Sequence, residues 1–288
     1  MDNEFRAYTM NLGGRLVEIG GPQVWGILNV TPDSFYAGSR CADVETVATR
    51  AREIVVEGGS VIDVGGCSTR PGGDAVAADE ELRRVLDALE VIRAEVPDAV
   101  ISVDTYRARV AQESVERYGA CIINDVSGGA DPEMFRTVAE LRVPYVLTHS
   151  GGIPPVPAEL PEYEDVAAEV LEWLARKVDM LHGMGVCDVI ADPGFGFGKS
   201  VEQNYELLRC LRAFQALDVP VLVGVSRKSM IYRALGISAE ESLNGTTVLN
   251  TMALAEGAQI LRVHDVKAAA EAVRLFEKTR LGIKDSKQ

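Results

Sequence analysis

The sequence predicts an α/β fold, a (β/α)8 or TIM barrel that opens with an N-terminal β-hairpin. Three observations predict it. Eight short apolar runs rich in Val and Ile recur from residue 24 almost to the end. Helical patterns with one apolar face lie between them. Polar residues break the runs, strand after strand, at their carboxyl ends. Eight near-continuous apolar runs suit strands buried on both faces, and alternation with helices is the sequence form of the barrel.

The elements follow in order. Residues 7–19 read as a hairpin around Gly13-Gly14, placed to cover the bottom of the barrel. The strands are 24–30 (VWGILNV), 61–66 (VIDVGG), 99–105 (AVISVDT), 120–126 (ACIINDV), 143–149 (VPYVLTH), 188–193 (DVIADP), 219–226 (VPVLVGVS) and 257–264 (GAQILRVH). Residues 43–57 place Val44, Val47, Ala48, Ala51, Ile54 and Val55 on one helical face, and 79–95 and 164–184 repeat the pattern. Nothing marks a domain boundary. The chain 1–288 is expected to form one domain, with the hairpin at 7–19 and the barrel over about 24–280. The tail after Gly282 is polar. An open doubly wound sheet is the alternative to the barrel.

Composition narrows the function. The chain has 288 residues, 47% of them apolar, and a formal net charge of −14. So acidic a surface repels phosphate backbones and argues against nucleic-acid binding, yet a local cluster of Arg and Lys could still hold a small anion. The cysteines, Cys41, Cys67, Cys121, Cys187 and Cys210, are odd in number and form no C-x-x-C pair, which reads as free thiols in a reducing compartment. No apolar run approaches the roughly 18–20 residues of a membrane span, and no secretory signature opens the chain. A cytoplasmic protein without membrane contact is the expectation.

The strand ends carry the chemistry. They are Asn29, the run into Ser68-Thr69-Arg70, Asp104-Thr105, Asn124-Asp125, His149, Asp192, Ser226-Arg227-Lys228, and Arg262 with His264. In a barrel all point to one rim, where active sites lie. Asp104, Asn124 and Asp192 offer acceptors suited to a heterocycle with amino and ring N–H groups. Asp192 could equally be a turn residue before Pro193, and Asp104 a helix N-cap. Arg70, Arg227, Lys228, Arg262 and His264 collect positive charge in an acidic protein, which suggests a phosphate or pyrophosphate ligand. Surface salt bridging is the ordinary fate of such an Arg, and it suits Arg227 better than Arg262, which sits inside an apolar run. A protein-held metal site is the weaker reading, since only three histidines exist and none has i, i+4 spacing. PGFGFGKS (193–200) approaches the P-loop pattern but has Pro193 at the first glycine. The loops 31–40 and 67–75 are rich in Gly, Pro and Ser, are longer than common βα connections, and could act as lids.

Seven motifs then occur in order: NVTPDSF (29–35), GGCSTRPGG (65–73), SVDT (102–105), INDVSG (123–128), DPGFGFGK (192–199), GVSRKS (224–229) and RVHD (262–265). Together they resemble the signatures of the dihydropteroate synthases, pterin-binding enzymes, and span residues 29–265. The resemblance implies a (β/α)8 barrel, usually a homodimer. It implies a transferase of folate biosynthesis that joins 6-hydroxymethyl-7,8-dihydropterin pyrophosphate to p-aminobenzoate with the help of Mg2+. Asp104, Asn124, Asp192 and Lys228 would hold the pterin, and Asp104, Asp192 and Lys228 would serve catalysis. Asn29 would help bind Mg2+. Thr69, Arg262 and His264 would contact the diphosphate, with Arg262 also packing on the pterin, and Phe197 would line the pocket. Arg70, Pro71 and Ser226 would border the p-aminobenzoate site, where sulfonamides bind in the family. Ala37, Cys67 and Thr148 depart from the family pattern. A pterin-dependent methyltransferase and a pterin-binding paralogue with little activity are the alternatives.

Overall fold

The computed structural model describes residues 6–30, 40–67, 76–150 and 161–281, with the side chains of 40–43 and 281 left aside. Strands β1 (Tyr8–Leu12) and β2 (Arg15–Ile19) form an antiparallel hairpin in which Leu12 faces Arg15. Its two-residue turn needs positive φ twice, and Gly13 (+60°) and Gly14 (+92°) supply it.

The barrel then alternates strand and helix. It runs β3 (Gln23–Asn29), α1 (Arg40–Val56), β4 (Val61–Gly65), α2 (Ala78–Glu95), β5 (Val100–Asp104) and α3 (Ala108–Tyr118). It continues with β6 (Ile122–Asp125), α4 (Met134–Leu141), β7 (Tyr145–Thr148), α5 (Val166–Gly183), β8 (Val189–Asp192) and α6 (Val201–Arg209). The last elements are β9 (Leu222–Val223), α7 (Ser229–Leu235), α8 (Leu243–Ala255), β10 (Ile260–Val263) and α9 (Val266–Leu281). The eight strands pair in the order β8-β7-β6-β5-β4-β3-β10-β9 and every pair is parallel. A parallel bridge between Ala191 and Val221 brings the two ends together, with the Ala191 N–H donating to Pro220 O at 2.9 Å. This is the expected barrel, not the open doubly wound sheet. The seventh strand is shorter than the 219–226 that its composition suggests. Pro220 has no N–H to give to a ladder, and β9 keeps only two residues.

The period of two along each strand positions the site. Trp25, Val61, Ile122, Val146, Ile190, Leu222 and Ile260 pack together inside the barrel, and Met10 and Ile19 of the hairpin join them from below. The hairpin is therefore a bottom plug, further fixed by the Asn11 N–H donating to Asp188 Oδ2 at 2.8 Å. Two residues further along each strand the side chain returns to the same inner face. Above Val61 stands Asp63, above Ile122 Asn124, above Ile190 Asp192, and above Ile260 Arg262. The intervening residues, such as Ile123, Leu147 and Leu261, face outward into the larger core between sheet and helices. An apolar floor thus carries a polar layer, and the layer opens toward the carboxyl ends of the strands.

Candidate active site

The polar layer is a charge network. Arg262 Nε donates to Asp63 Oδ2 at 2.6 Å, and its Nη2 donates to Asp104 Oδ2. Asn124 Nδ2 lies 3.3 Å from both oxygens of Asp63. Asp63 is wholly buried, Asp104 and Asn124 nearly so. Asn124 Oδ1 is also buried and has no hydrogen-bond partner among the described residues. A Cβ on Gly65 would sit 3.2 Å from Asn29 Oδ1 and 3.6 Å from Asp104 Oδ2, so the missing side chain brings Asn29 beside Asp104. Gly224 does the same between Lys228 Nζ and Arg262, both 3.9 Å or so from its vacant Cβ position.

Asp192 and Lys228 occupy the other side. Asp192 Oδ1 accepts from the Gly194 N–H at 2.7 Å. Lys228 Nζ donates to Phe195 O and lies 4.5 Å from the centre of the Phe197 ring. Burial pushes Asp104 up to about 7, although Arg262 opposes it. Burial also raises Asp192, against the pull of Lys228, and brings Lys228 down to about 8, partly offset by Asp192. For Arg262 burial works against the charge, but Asp63 and Asp104 outweigh it and hold the guanidinium above its ordinary pKa. Perturbed groups gathered in one cleft of a barrel mark a functional site.

At the rim, Ser226 Oγ and His264 Nδ1 are 3.1 Å apart, and the His264 N–H reaches Ser226 Oγ at 3.2 Å. Arg50 anchors this corner by donating to His264 O at 2.6 Å. The structure thus collects Asn29, Asp104, Asn124, Asp192, Phe197, Lys228 and Arg262 at the carboxyl-end rim of the barrel, with Ser226 and His264 beside them. Thr69, Arg70 and Pro71 lie outside the described residues, as do the two candidate lid loops for most of their length. Arg227 takes the ordinary fate: it forms a two-pronged pair with Asp265 at 2.8 and 2.9 Å and donates to Ala239 O and Glu240 O. Asp125 also serves structure. Its carboxylate accepts from the N–H groups of Ser127 and Gly129, from Ser127 Oγ and from Tyr145 OH.

Three charged residues escape a reading made from strand ends. Asp63 sits in the middle of the second strand. Its signal was an ionisable residue inside an apolar run, the same signal that singled out Arg262. Lys199 is buried beneath the turn after β8, not free to cradle a nucleotide: its Nζ donates at 3.0 Å to both Gly194 O and Phe197 O and lies 3.0 Å from His149 Nδ1. Glu81, on α2, is wholly buried; it accepts from Thr105 Oγ1 at 2.6 Å and pairs with Arg107, which in turn donates to Val76 O at 2.7 Å. Nothing in the sequence marked Glu81, because the first turn of a helix is an ordinary place for acid.

Comparison with known proteins places the chain in a family. The family model described as "Pterin binding enzyme" matches residues 25–264. The dihydropteroate synthase of Escherichia coli (strain K12) is 40% identical over 277 residues, 96% of this chain and 97% of its own length. The Xanthomonas albilineans dihydropteroate synthase, solved with 4-aminobenzoic acid, superposes with a TM-score of 0.87 at 37% identity, covering 96% of this chain and 99% of that one. The same enzyme in complex with 7,8-dihydropteroate gives a TM-score of 0.84 at 36% identity over 95% and 99% of the two chains. On fold and sequence alike, the chain belongs to the family of pterin-binding enzymes, among the dihydropteroate synthases.

Proposed function

We propose that the chain condenses 6-hydroxymethyl-7,8-dihydropterin pyrophosphate with p-aminobenzoate, giving 7,8-dihydropteroate and pyrophosphate. The carrying observation is the unpartnered Asn124 Oδ1 between two raised carboxylates at the mouth of the barrel. Buried acceptors need donors, and the amino and ring N–H groups of a pterin supply them. Asp104, Asn124 and Asp192 accept from that edge, Lys228 covers it with Phe197, and Arg262 lies across the pocket. Ser226 and His264 stand at the rim, where the diphosphate and p-aminobenzoate meet, with Thr69, Arg70 and Pro71 completing that end.

The reaction breaks the bond from the pterin methylene to the diphosphate oxygen, and the electron pair leaves with pyrophosphate. The arylamine nitrogen forms the new C–N bond and loses a proton. Positive charge that develops on the pterin is stabilised by Asp104 and Asp192, fixed in a site of low dielectric. No protein nucleophile is required. Asn29 Oδ1 and the Asp104 carboxylate border one point, and such a pair of oxygen donors fits Mg2+, which takes one or two protein ligands and the rest from phosphate and water. When bound, the ion neutralises charge on the leaving pyrophosphate. Purified protein with Mg2+, the pterin diphosphate and labelled p-aminobenzoate tests the reading: labelled dihydropteroate and one pyrophosphate per turnover are expected. Methyl transfer, or pterin binding without product, would replace it with the corresponding alternative.

Asp192 gives a sharper check. Asp192→Ala leaves ligand N–H donors unpaired in a buried site, and a charge-assisted bond contributes roughly 1.5–3 kcal/mol. Pterin affinity is expected to fall by about tenfold or more, read by calorimetry on the folded variant; unchanged affinity would remove Asp192 from the site.

The same reading includes a homodimer in the cytoplasm. Leu235 of α7 and Leu243, Val248 and Met252 of α8 leave an apolar patch exposed, the kind of surface that marks association. Val248→Arg together with Met252→Arg is expected to convert a dimer to a monomer in sedimentation equilibrium; a wild-type monomer would refute the assembly. Among the described residues, Cys67, Cys121, Cys187 and Cys210 form no disulfide. No helix among the described residues is long and apolar enough to cross a membrane.

A further inference from the structure

The turn from Pro193 to Lys199 carries two of the groups assigned to the pterin without donating a side chain of its own beyond Phe197. Its Gly194 N–H fixes Asp192 Oδ1 at 2.7 Å, its Phe195 carbonyl accepts from Lys228 Nζ, and the Phe197 ring lies under that ammonium. The turn is forced into close contact with β7. Gly194 has φ +74°, and a Cβ there would sit 1.9 Å from His149 O. Carbonyls of such a turn point inward, and the cation that gathers them is Lys199. Its ammonium binds Gly194 O and Phe197 O, both at 3.0 Å, and approaches His149 Nδ1 at 3.0 Å. The His149 ring is itself fixed edge-on against Trp173, with centroids 5.0 Å apart, and its backbone N–H donates to Asp192 O at 2.9 Å.

We propose that Lys199, braced by His149, is a positioning residue for the pterin end of the site: it holds the 193–199 turn in the one shape that aims Asp192 and places Lys228. The inference rests on the pterin-site reading above. It assigns the near-P-loop lysine a definite task, through the turn and not through contact with substrate. Burial, with the Lys199 charge beside it, keeps the His149 ring neutral, at about 3, as an acceptor for the ammonium, while burial brings Lys199 itself down to about 7 against the pull of Asp192. The p-aminobenzoate end is built from other segments, Ser226 among them, so the two substrates should respond differently to loss of the ammonium.

Lys199→Met tests this, since it keeps chain length and volume and removes the three-way donor. The KM for the pterin diphosphate, measured at saturating p-aminobenzoate, is expected to rise by about tenfold or more, as displacement of a positioned group by even 1 Å is felt strongly. The KM for p-aminobenzoate at saturating pterin is expected to stay within about twofold. His149→Phe keeps an aromatic ring against Trp173 and removes both ring nitrogens, Nδ1 among them, and it is expected to shift the same KM in the same direction by a smaller factor. It carries the test alone if Lys199→Met does not fold. An unchanged pterin KM, or equal rises in both KM values, in whichever folded variant is measured would overturn the proposal. Wild-type protein that makes dihydropteroate while the variants show no split leaves the pterin-site reading standing and removes Lys199 from it. Wild-type protein that neither binds the pterin diphosphate nor forms product overturns both.

Discussion

Arg262→Met is expected to cripple the protein twice, in stability and in turnover. One guanidinium serves two buried carboxylates, Asp63 at 2.6 Å and Asp104 beside it. Among the described residues, its removal leaves Asp63 with only the amide of Asn124 at 3.3 Å. Breaking a buried ion pair by deleting one partner typically costs about 3–5 kcal/mol, because the remaining charge is uncompensated. Arg262 is also the strongest influence holding Asp104 down against burial, so without it Asp104 takes up a proton at neutral pH and no longer acts as an acceptor for the pterin. The expected fall in kcat/KM for the pterin diphosphate is at least about 10²-fold, the size seen when one preorganised electrostatic group is lost. Urea unfolding and steady-state kinetics read the two effects. The double variant Arg262→Met with Asp63→Asn is expected to recover part of the stability and little of the activity. A single variant as stable as the double would show that Asp63 and Arg262 are not coupled.

The network explains which parts of the site were legible in the sequence. The eight strands, the hairpin and its place under the barrel follow from apolar runs and a Gly-Gly turn, which are local signals. Asp104, Asn124 and Asp192 stand at the ends of their strands and Lys228 in the loop between β9 and α7, and a barrel sends all these ends to one rim, so local position was enough for them too. Asp63 is different. Its depth in the barrel depends on which face of β4 looks inward and on how far β4 is staggered against its neighbours. Its partner is 199 residues away in the chain. No pattern within one strand contains that information. Lys199 is a second case: measured against a nucleotide-binding pattern it fails at Pro193, and what it does instead depends on carbonyls turned inward by a glycine at positive φ. Arg227 shows the converse. Its place beside Lys228 suggested an anion site, but a neighbouring residue in space, Asp265, takes both of its prongs. The short β9 follows from Pro220, whose missing N–H could be read in the sequence but whose effect depends on the closure of the ring.

Pterin binding is expected to release close to one proton at about pH 6 and almost none well above pH 7. Asp104 sits near 7 in the free protein because burial disfavours its charge, yet only the ionised carboxylate accepts fully from the pterin N–H groups. Below pH 7 the ligand must therefore displace a proton, and its affinity should fall about tenfold per pH unit. On the alkaline side Lys228, brought down to about 8 by the same burial, loses its charge, and kcat/KM should fall again. Since kcat/KM reports the free enzyme, its profile should be a bell with flanks near pH 7 and pH 8. The stability of the free protein follows with definite signs. The raised Asp104 contributes stability that is full below 3.8, its ordinary value, and is lost as pH rises through about 7. The depressed Lys228 contributes stability that is full above 10.5 and is lost as pH falls through about 8. Between pH 7 and 8 the unliganded barrel has lost part of both contributions, so the pterin diphosphate should raise its melting temperature most clearly there. Calorimetry in two buffers of different ionisation enthalpy measures the proton release directly, and Asp104→Asn should abolish it. Equal affinity at pH 6 and pH 7.5, with no proton released at the lower pH, would mean that Asp104 is already ionised in the free protein, and that its ion pair with Arg262 prevails over its burial.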